Sequence, residues 1–364
     1  MARRKPSSDP ASPLPQRLEL APFRQRFPWI GPDLQMLRDT LVVSSPLPDQ
    51  GQFMPFALAD GDQLLSRLDL PCQAPPRGLV VVIHGLGGGS EDPAQRRLGQ
   101  ALSGEGFAVL RLNLRGAGLG RPLAKGTYAA SCSVDVIPVL RDCRRLAAHL
   151  TPNGQGLPLG AVGMSVGGTV LLNALLDHLP QEPPLVDGLV CVSSPLDLGH
   201  SADHLDRPRN HLYQRWMVRR LIAQTLADPH PLAPGEWQGL TGPARPRTLR
   251  DFDALITAPR WGYPDVGAYY GACSPLPRLL SLRRRAHQVG ADPLPPLLLL
   301  HARDDPWVPV DGALALAADP PWPEVVVTDR GGHCGFHAPG DSPQGRWSDR
   351  LAARWCGHTL LGNG

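Results

Sequence analysis

A chain of 364 residues, 42% of them hydrophobic, can bury a large core as one big domain or two ordinary ones. Its 36 basic residues stand against 33 acidic ones, and a net charge of only +3 argues against a dedicated nucleic-acid surface. Its 39 glycines and 42 prolines follow no fixed period, which excludes a collagen-like fibre and points to many turns.

The chain opens on basic Met1 to Lys5 and a proline- and serine-rich stretch to Pro15. No apolar signal core follows, so residues 1–16 read as a flexible arm and residues 17–364 as the ordered domain. Pro22 to Leu37 is apolar enough to pack as a lead-in. Leu41 to Ser45 and Gln63 to Leu70 read as strands, with the turn signal Asp60-Gly61-Asp62 between them, giving an antiparallel edge. From Gly78 the pattern changes. Leu79 to Ile83 is a continuous β-branched run, as a strand buried on both faces requires, and it ends in His84-Gly85-Leu86-Gly87-Gly88. Asp92-Pro93 opens a helix to about Leu102. Phe107 to Leu112 is the next strand, and Val134 to Leu150 repeats apolar residues at helical spacing. A strand at Leu157 to Val162 and a helix at Thr169 to Leu179 flank Gly163-Met164-Ser165-Val166-Gly167-Gly168. Val186 to Val192 is another strand. This repeated alternation predicts a mostly parallel central sheet with helices on both faces. Residues 196–260 break it: they are arginine- and proline-rich, with a helix from Leu212 to Leu226, and read as an inserted helical cap over the C-terminal end of the sheet. Alternation returns with strands at Leu297 to His301 and Glu324 to Thr328 and a final helix from Arg346 to Leu361.

The seven cysteines (Cys72, Cys132, Cys143, Cys191, Cys273, Cys334, Cys356) are odd in number and scattered, with no C-x-x-C. They read as free thiols in a reducing compartment, the cytoplasm, and disfavour a metal site. The longest apolar stretch is broken by Ser165, glycines and Asn173, so no membrane span is expected.

The chemistry gathers at strand ends. A serine held between glycines on a strand-to-helix turn is the layout of a nucleophile elbow. Glycines at 163 and 167 leave room for the turn, and Gly168 lets the helix approach the sheet. A serine hydroxyl is a poor nucleophile without a base, and the base needs an orienting acid. Both should follow in the order Ser, Asp, His. One later strand ends in Arg303-Asp304-Asp305-Pro306-Trp307-Val308-Pro309, and the next in Gly331-Gly332-His333-Cys334-Gly335-Phe336-His337. Asp305 stands four residues before the loop proline and takes the acid role; Asp304 competes for it and would otherwise hold a turn. His333, set among glycines, takes the base role; His337 competes and otherwise reads as a surface histidine. Backbone N–H groups of Val166 and of Leu86 are the candidate oxyanion donors. His84 reads as a histidine that bonds its own loop. Arg115 reads as structural, Cys334 as packing, and Trp261, Tyr263, Tyr269 and Tyr270 as pocket wall or cap support.

Taken together, these pieces resemble the YheT-like group of α/β-hydrolases, which also includes eukaryotic lipid esterases and medium-chain acyl ester synthases. The matching residues are Gly31-Pro32-Asp33-Leu34-Gln35-Met36-Leu37, His84-Gly85-Leu86-Gly87-Gly88, Asn113-Leu114-Arg115-Gly116, the Ser165 elbow, Asp251-Phe252-Asp253 with Tyr269-Tyr270, Asp304-Asp305-Pro306, and Gly331 to Phe336. The resemblance implies the α/β-hydrolase fold and a serine esterase acting on small-molecule acyl esters, with an apolar acyl pocket under the cap and no cofactor. Two departures bear on substrate shape: Met36 where the family commonly has Thr, and Tyr128-Ala129-Ala130-Ser131 where it has a Tyr-His-Ser-Gly-like segment. Acyl transfer at the same acyl-enzyme and a non-catalytic ligand-binding role are the alternatives. Oligomeric state is not legible.

Overall fold

The computed structural model describes residues 13–42, 51–71, 74–150, 156–179, 181, 183–289, 294–318, 322–342 and 345–362, without the side chains of 286–289. In chain order the main elements are α1 (Pro32–Leu41), β1 (Gln52–Ala57), β2 (Gln63–Asp69), β3 (Gly78–Ile83), α2 (Pro93–Gly104), β4 (Phe107–Leu112), α3 (Ser133–His149), β5 (Leu159–Met164), α4 (Val166–His178) and β6 (Gly188–Val192). Then come α5 (Leu198–Leu205), α6 (His211–Leu226), α7 (Pro234–Thr241), α8 (Val266–Cys273), α9 (Leu276–Val289), β7 (Leu297–Ala302), α10 (Asp311–Ala317), β8 (Glu324–Thr328) and α11 (Trp347–Leu361).

The strands form one eight-stranded sheet in the order β1-β2-β4-β3-β5-β6-β7-β8. β1, β2 and β4 pair antiparallel in turn, and every other pairing is parallel. The five strands β3 to β7 are buried along their whole length. Their apolar side chains alternate between two cores. Leu79, Val81 and Ile83 of β3 face a core shared with α3, α4 and Leu279 of α9. Val80 and Val82 face the other, shared with α2 and α11. Each face thus has its helical layer, which is why these strands carry no polar alternation.

The chain runs from β3 outward to β4, then returns to lay β5 on β3's other side. That reversal is a topological switch point, where the loops after two adjacent parallel strands diverge and leave a crevice. The loops after β3 and β5 are the two that carry Leu86 and Ser165.

One predicted strand was misread. Leu41 is the last residue of α1, and residues 43–45 lie outside the described residues. Pro32 at the first helical turn and Asp33 beside it start a helix here. The partner of β2 is β1 instead, joined through the Asp60-Gly61-Asp62 turn, where Leu58 N–H donates to Asp62 O at 2.9 Å. Of the arm read at residues 1–16, residues 1–12 lie outside the described residues, and Leu14 begins a short helical turn. Between β6 and β7 the helices run on beyond Arg260 through α8 before α9 returns to the sheet.

Candidate active site

Ser165 links β5 to α4 with φ 52° and ψ −128°, a conformation that L-residues rarely adopt. Its N–H donates to Val192 O on β6 at 2.8 Å. The glycines behind it are required by contact. A β-carbon at Gly167 would lie 2.5 Å from the carbonyl oxygens of Ile83 and His84, both backbone atoms of the neighbouring strand end. One at Gly168 would lie 2.0 Å from Ser194 Oγ. The helix can therefore start at Val166, directly behind the serine.

His333, from the loop after β8, places Nε2 2.9 Å from Ser165 Oγ. Its Nδ1 lies 2.8 Å from Asp305 Oδ2, from the loop after β7. Asp305 Oδ1 accepts from Trp307 N–H at 2.8 Å and Val308 N–H at 2.9 Å. Burial alone would raise the Asp305 pKa; the His333 charge and hydrogen bond, with His301 and Val308 N–H, outweigh it and hold the carboxyl below its ordinary value. Burial alone would lower the His333 pKa; the Asp305 charge and hydrogen bond, with Cys334, outweigh it and lift the imidazole well above its ordinary value. The Trp307 ring packs on the imidazole with centroids 4.8 Å apart.

Asp304 turns the other way. Its Oδ1 accepts Gly332 N–H at 2.9 Å, tying the acid loop to the histidine loop, and burial raises its pKa. His337 is not a surface histidine. It is buried, its backbone N–H and C=O both bonded by the Gln35 side chain at 2.6 and 3.1 Å. Burial, then Arg38, Arg97 and Arg26, push its pKa down to about 3. Helix α1 covers this loop, and no local pattern around residue 337 announces that.

The loop after β3 is braced from three sides. His84 Nε2 accepts Leu114 N–H at 3.2 Å, so Nδ1 carries the proton that goes to Gly85 O at 2.7 Å. Burial lowers the pKa of this imidazole, which fits the neutral tautomer. Tyr128 Oη accepts Gly87 N–H at 2.8 Å and lies 3.4 Å from Gly85 O. From the helices between β6 and β7, Arg220 and Gln224 of α6 each donate to Gly87 O at 3.0 Å. A β-carbon on Gly85 would lie 3.2 Å from Ser165 Cβ, so this backbone runs against the elbow. Val166 is the first residue of α4, and its N–H has no acceptor within the helix. Tyr128, Arg220 and Gln224 were missed in the sequence. Their partner is a loop carbonyl and N–H, and nothing in their own neighbourhoods signals it.

Ser165 and His333 open into a cavity of about 350 Å³. Its wall is mostly apolar, from Met36, Met164, Leu205, Met217, Phe252 and Trp307, with Tyr269 and Tyr270 of α8. Two carboxylates, Asp92 and Asp253, also line it, and Asp253 is held among hydroxyls. Thr257 Oγ1 and Tyr270 Oη donate to that carboxylate at 2.7 and 2.8 Å, yet burial raises its pKa to about 6. Cys334 lines the cavity, with Sγ 3.8 Å from Val192 O. Arg115 is a strut: it bonds Asp60, Asp62 and Asp135 at 2.6 to 2.8 Å. Among the described residues no group of three or more His, Cys, Asp and Glu is placed to hold a metal ion, and no helix is long and apolar enough to cross a membrane.

Residues 78–338 match the family model of the alpha/beta hydrolase fold. The chain belongs to the α/β-hydrolase family, in its YheT-like group. This α/β-hydrolase is 30% identical to YheT of Escherichia coli over 293 residues, which are 79% of this chain and 80% of that protein. It is 28% identical over 316 residues to the medium-chain fatty acid ethyl ester synthase/esterase 2 of Saccharomyces cerevisiae, covering 80% of this chain and 63% of the yeast protein. A soluble variant of monoglyceride lipase from Saccharomyces cerevisiae, solved with a substrate analog, shares the fold with a TM-score of 0.53 at 15% identity, covering 86% of this chain and 98% of that one.

Proposed function

We propose that this α/β-hydrolase is a serine-dependent carboxylic ester hydrolase of acyl esters. One observation carries the reading: an unbroken hydrogen-bonded chain from Ser165 Oγ through His333 to Asp305, at the wall of an apolar cavity. In the proposed reaction Ser165 Oγ attacks the acyl carbonyl while His333 Nε2 takes its proton. Asp305 stabilises the imidazolium, and the N–H groups of Leu86 and Val166 stabilise the oxyanion. The tetrahedral intermediate expels the alcohol, which leaves with the proton from His333. Water, deprotonated by the same histidine, then attacks the acyl-enzyme and releases the acid. The reading takes residues 17–364 as one hydrolase domain with its cap, and the scattered cysteines support a reducing, cytoplasmic setting.

A fluorophosphonate probe and a chain-length series of p-nitrophenyl esters test it. Wild-type protein should label and turn over, and Ser165→Ala should lose labelling and at least about 10⁴-fold of kcat/KM. No labelling of the folded wild type, or labelling that survives Ser165→Ala, overturns the proposal. Adding alcohol to the same assay separates hydrolysis from acyl transfer.

A further inference from the structure

Helix α6 uses two faces. Its buried side, with Gln214, Met217, Val218, Leu221 and Thr225, packs inward. Its outward side carries Leu212, 80% exposed, and Trp216, 55% exposed, one turn apart. Arg215, Arg219 and Arg220 are exposed beside them. No Asp or Glu occurs between His211 and Ala227. The carboxylates at its two ends are already engaged. Asp33 accepts from Arg209 at 3.0 Å and from Tyr213 at 2.9 Å, and Asp228, its side chain buried, lies 3.7 Å from Arg121. The Arg220 guanidinium stands 5.6 Å from the Trp216 ring centroid.

This face is continuous with the mouth of the cavity. Trp216, Arg220 and Gln224 line it together with Leu86, which is itself 36% exposed. A leucine and a tryptophan left in water cost free energy that burial would recover. Cations with no carboxylate among them repel a basic surface and attract an anionic one. Tryptophan suits the headgroup level of a bilayer, with arginines reaching anionic headgroups.

We propose that the outward face of α6 docks on an anionic lipid surface and sets the mouth of the cavity against it. The docking does not depend on catalysis, so Ser165→Ala protein serves equally well in the test.

The test is sedimentation of the full chain with phosphatidylcholine vesicles, with and without phosphatidylglycerol. Binding should require phosphatidylglycerol and weaken as salt is raised. The double variant Arg215→Gln/Arg219→Gln should bind on the order of tenfold more weakly or worse. Leu212→Ser should bind several-fold more weakly. These positions lie outside the cavity wall, so hydrolysis of a short, water-soluble ester should not change in either variant. Equal binding to both vesicle types overturns the proposal, as does binding that neither variant weakens. Capture by soluble polyglutamate without vesicle binding would replace the lipid with an acidic protein surface and equally overturn it.

Discussion

Asp304 and Asp305 are neighbours in sequence and opposites in environment. One accepts a single N–H from the histidine loop; the other accepts two N–H groups and the imidazole. If Asp305 orients the base, Asp305→Asn should cut kcat/KM by roughly 10³- to 10⁴-fold. Its pH profile should move as well. The base works only when neutral, so activity appears as pH rises through the His333 pKa. Burial pushes that pKa down, and the Asp305 charge and hydrogen bond, together with Cys334, push it further up. Removing the charge leaves burial opposed by Cys334 without the carboxylate, and the acid limb of kcat/KM should shift to lower pH. Asp304→Asn should leave the limb in place. The spacing to Pro309 favoured Asp305 without deciding it; the structure turns Asp305 toward His333 and Asp304 toward Gly332 N–H. The burial of His337 was not legible, because it is produced by Gln35 and helix α1, at the other end of the chain.

Between elements, α6 and the segment after β4 are coupled to the loop after β3. Tyr128, Arg220 and Gln224 come from two separate segments and all bond the peptide groups of Gly85 and Gly87. Tyr128→Phe leaves Gly87 N–H without its acceptor and loosens the loop that carries Leu86. We predict a fall in kcat of about tenfold, with KM changed less, because an oxyanion donor acts in the transition state; steady-state kinetics on one ester decides it. The core strands were readable because each is a mostly apolar run, interrupted by Arg111 in β4 and His301 in β7, between glycine- or proline-rich loops. The edge was not. Leu41 falls in register with Leu37 and Leu34 at helical spacing, whereas β1 includes Pro55, which only an edge strand tolerates. The second face of α6 is equally hidden, since a sequence does not say which arginines meet carboxylates.

Across the whole molecule, buried ionisable groups set how stability follows pH. His337 has an ordinary pKa near 6.5 and a folded one near 3, from burial and then three arginines. The unfolded chain therefore takes up a proton that the folded chain refuses. Stability should fall as pH drops below about 6.5 and stop responding to this group near 3, by at most about 1.4 kcal/mol per pH unit for one proton. His333, with its raised pKa, works in the opposite direction, so the test is a difference: in urea denaturation between about pH 7 and pH 5, His337→Leu, which keeps both backbone bonds to Gln35, should lose less stability on acidification than the wild type. The backbone at Ser165 bears on the same balance from the other side. Its φ of 52° with ψ of −128° suits glycine better than serine. Ser165→Gly should therefore yield an inert protein that melts slightly above its parent, by about 1 °C for each kcal/mol relieved in a chain of this size. The hydroxyl at residue 165 and a relaxed backbone there exclude one another at a single position.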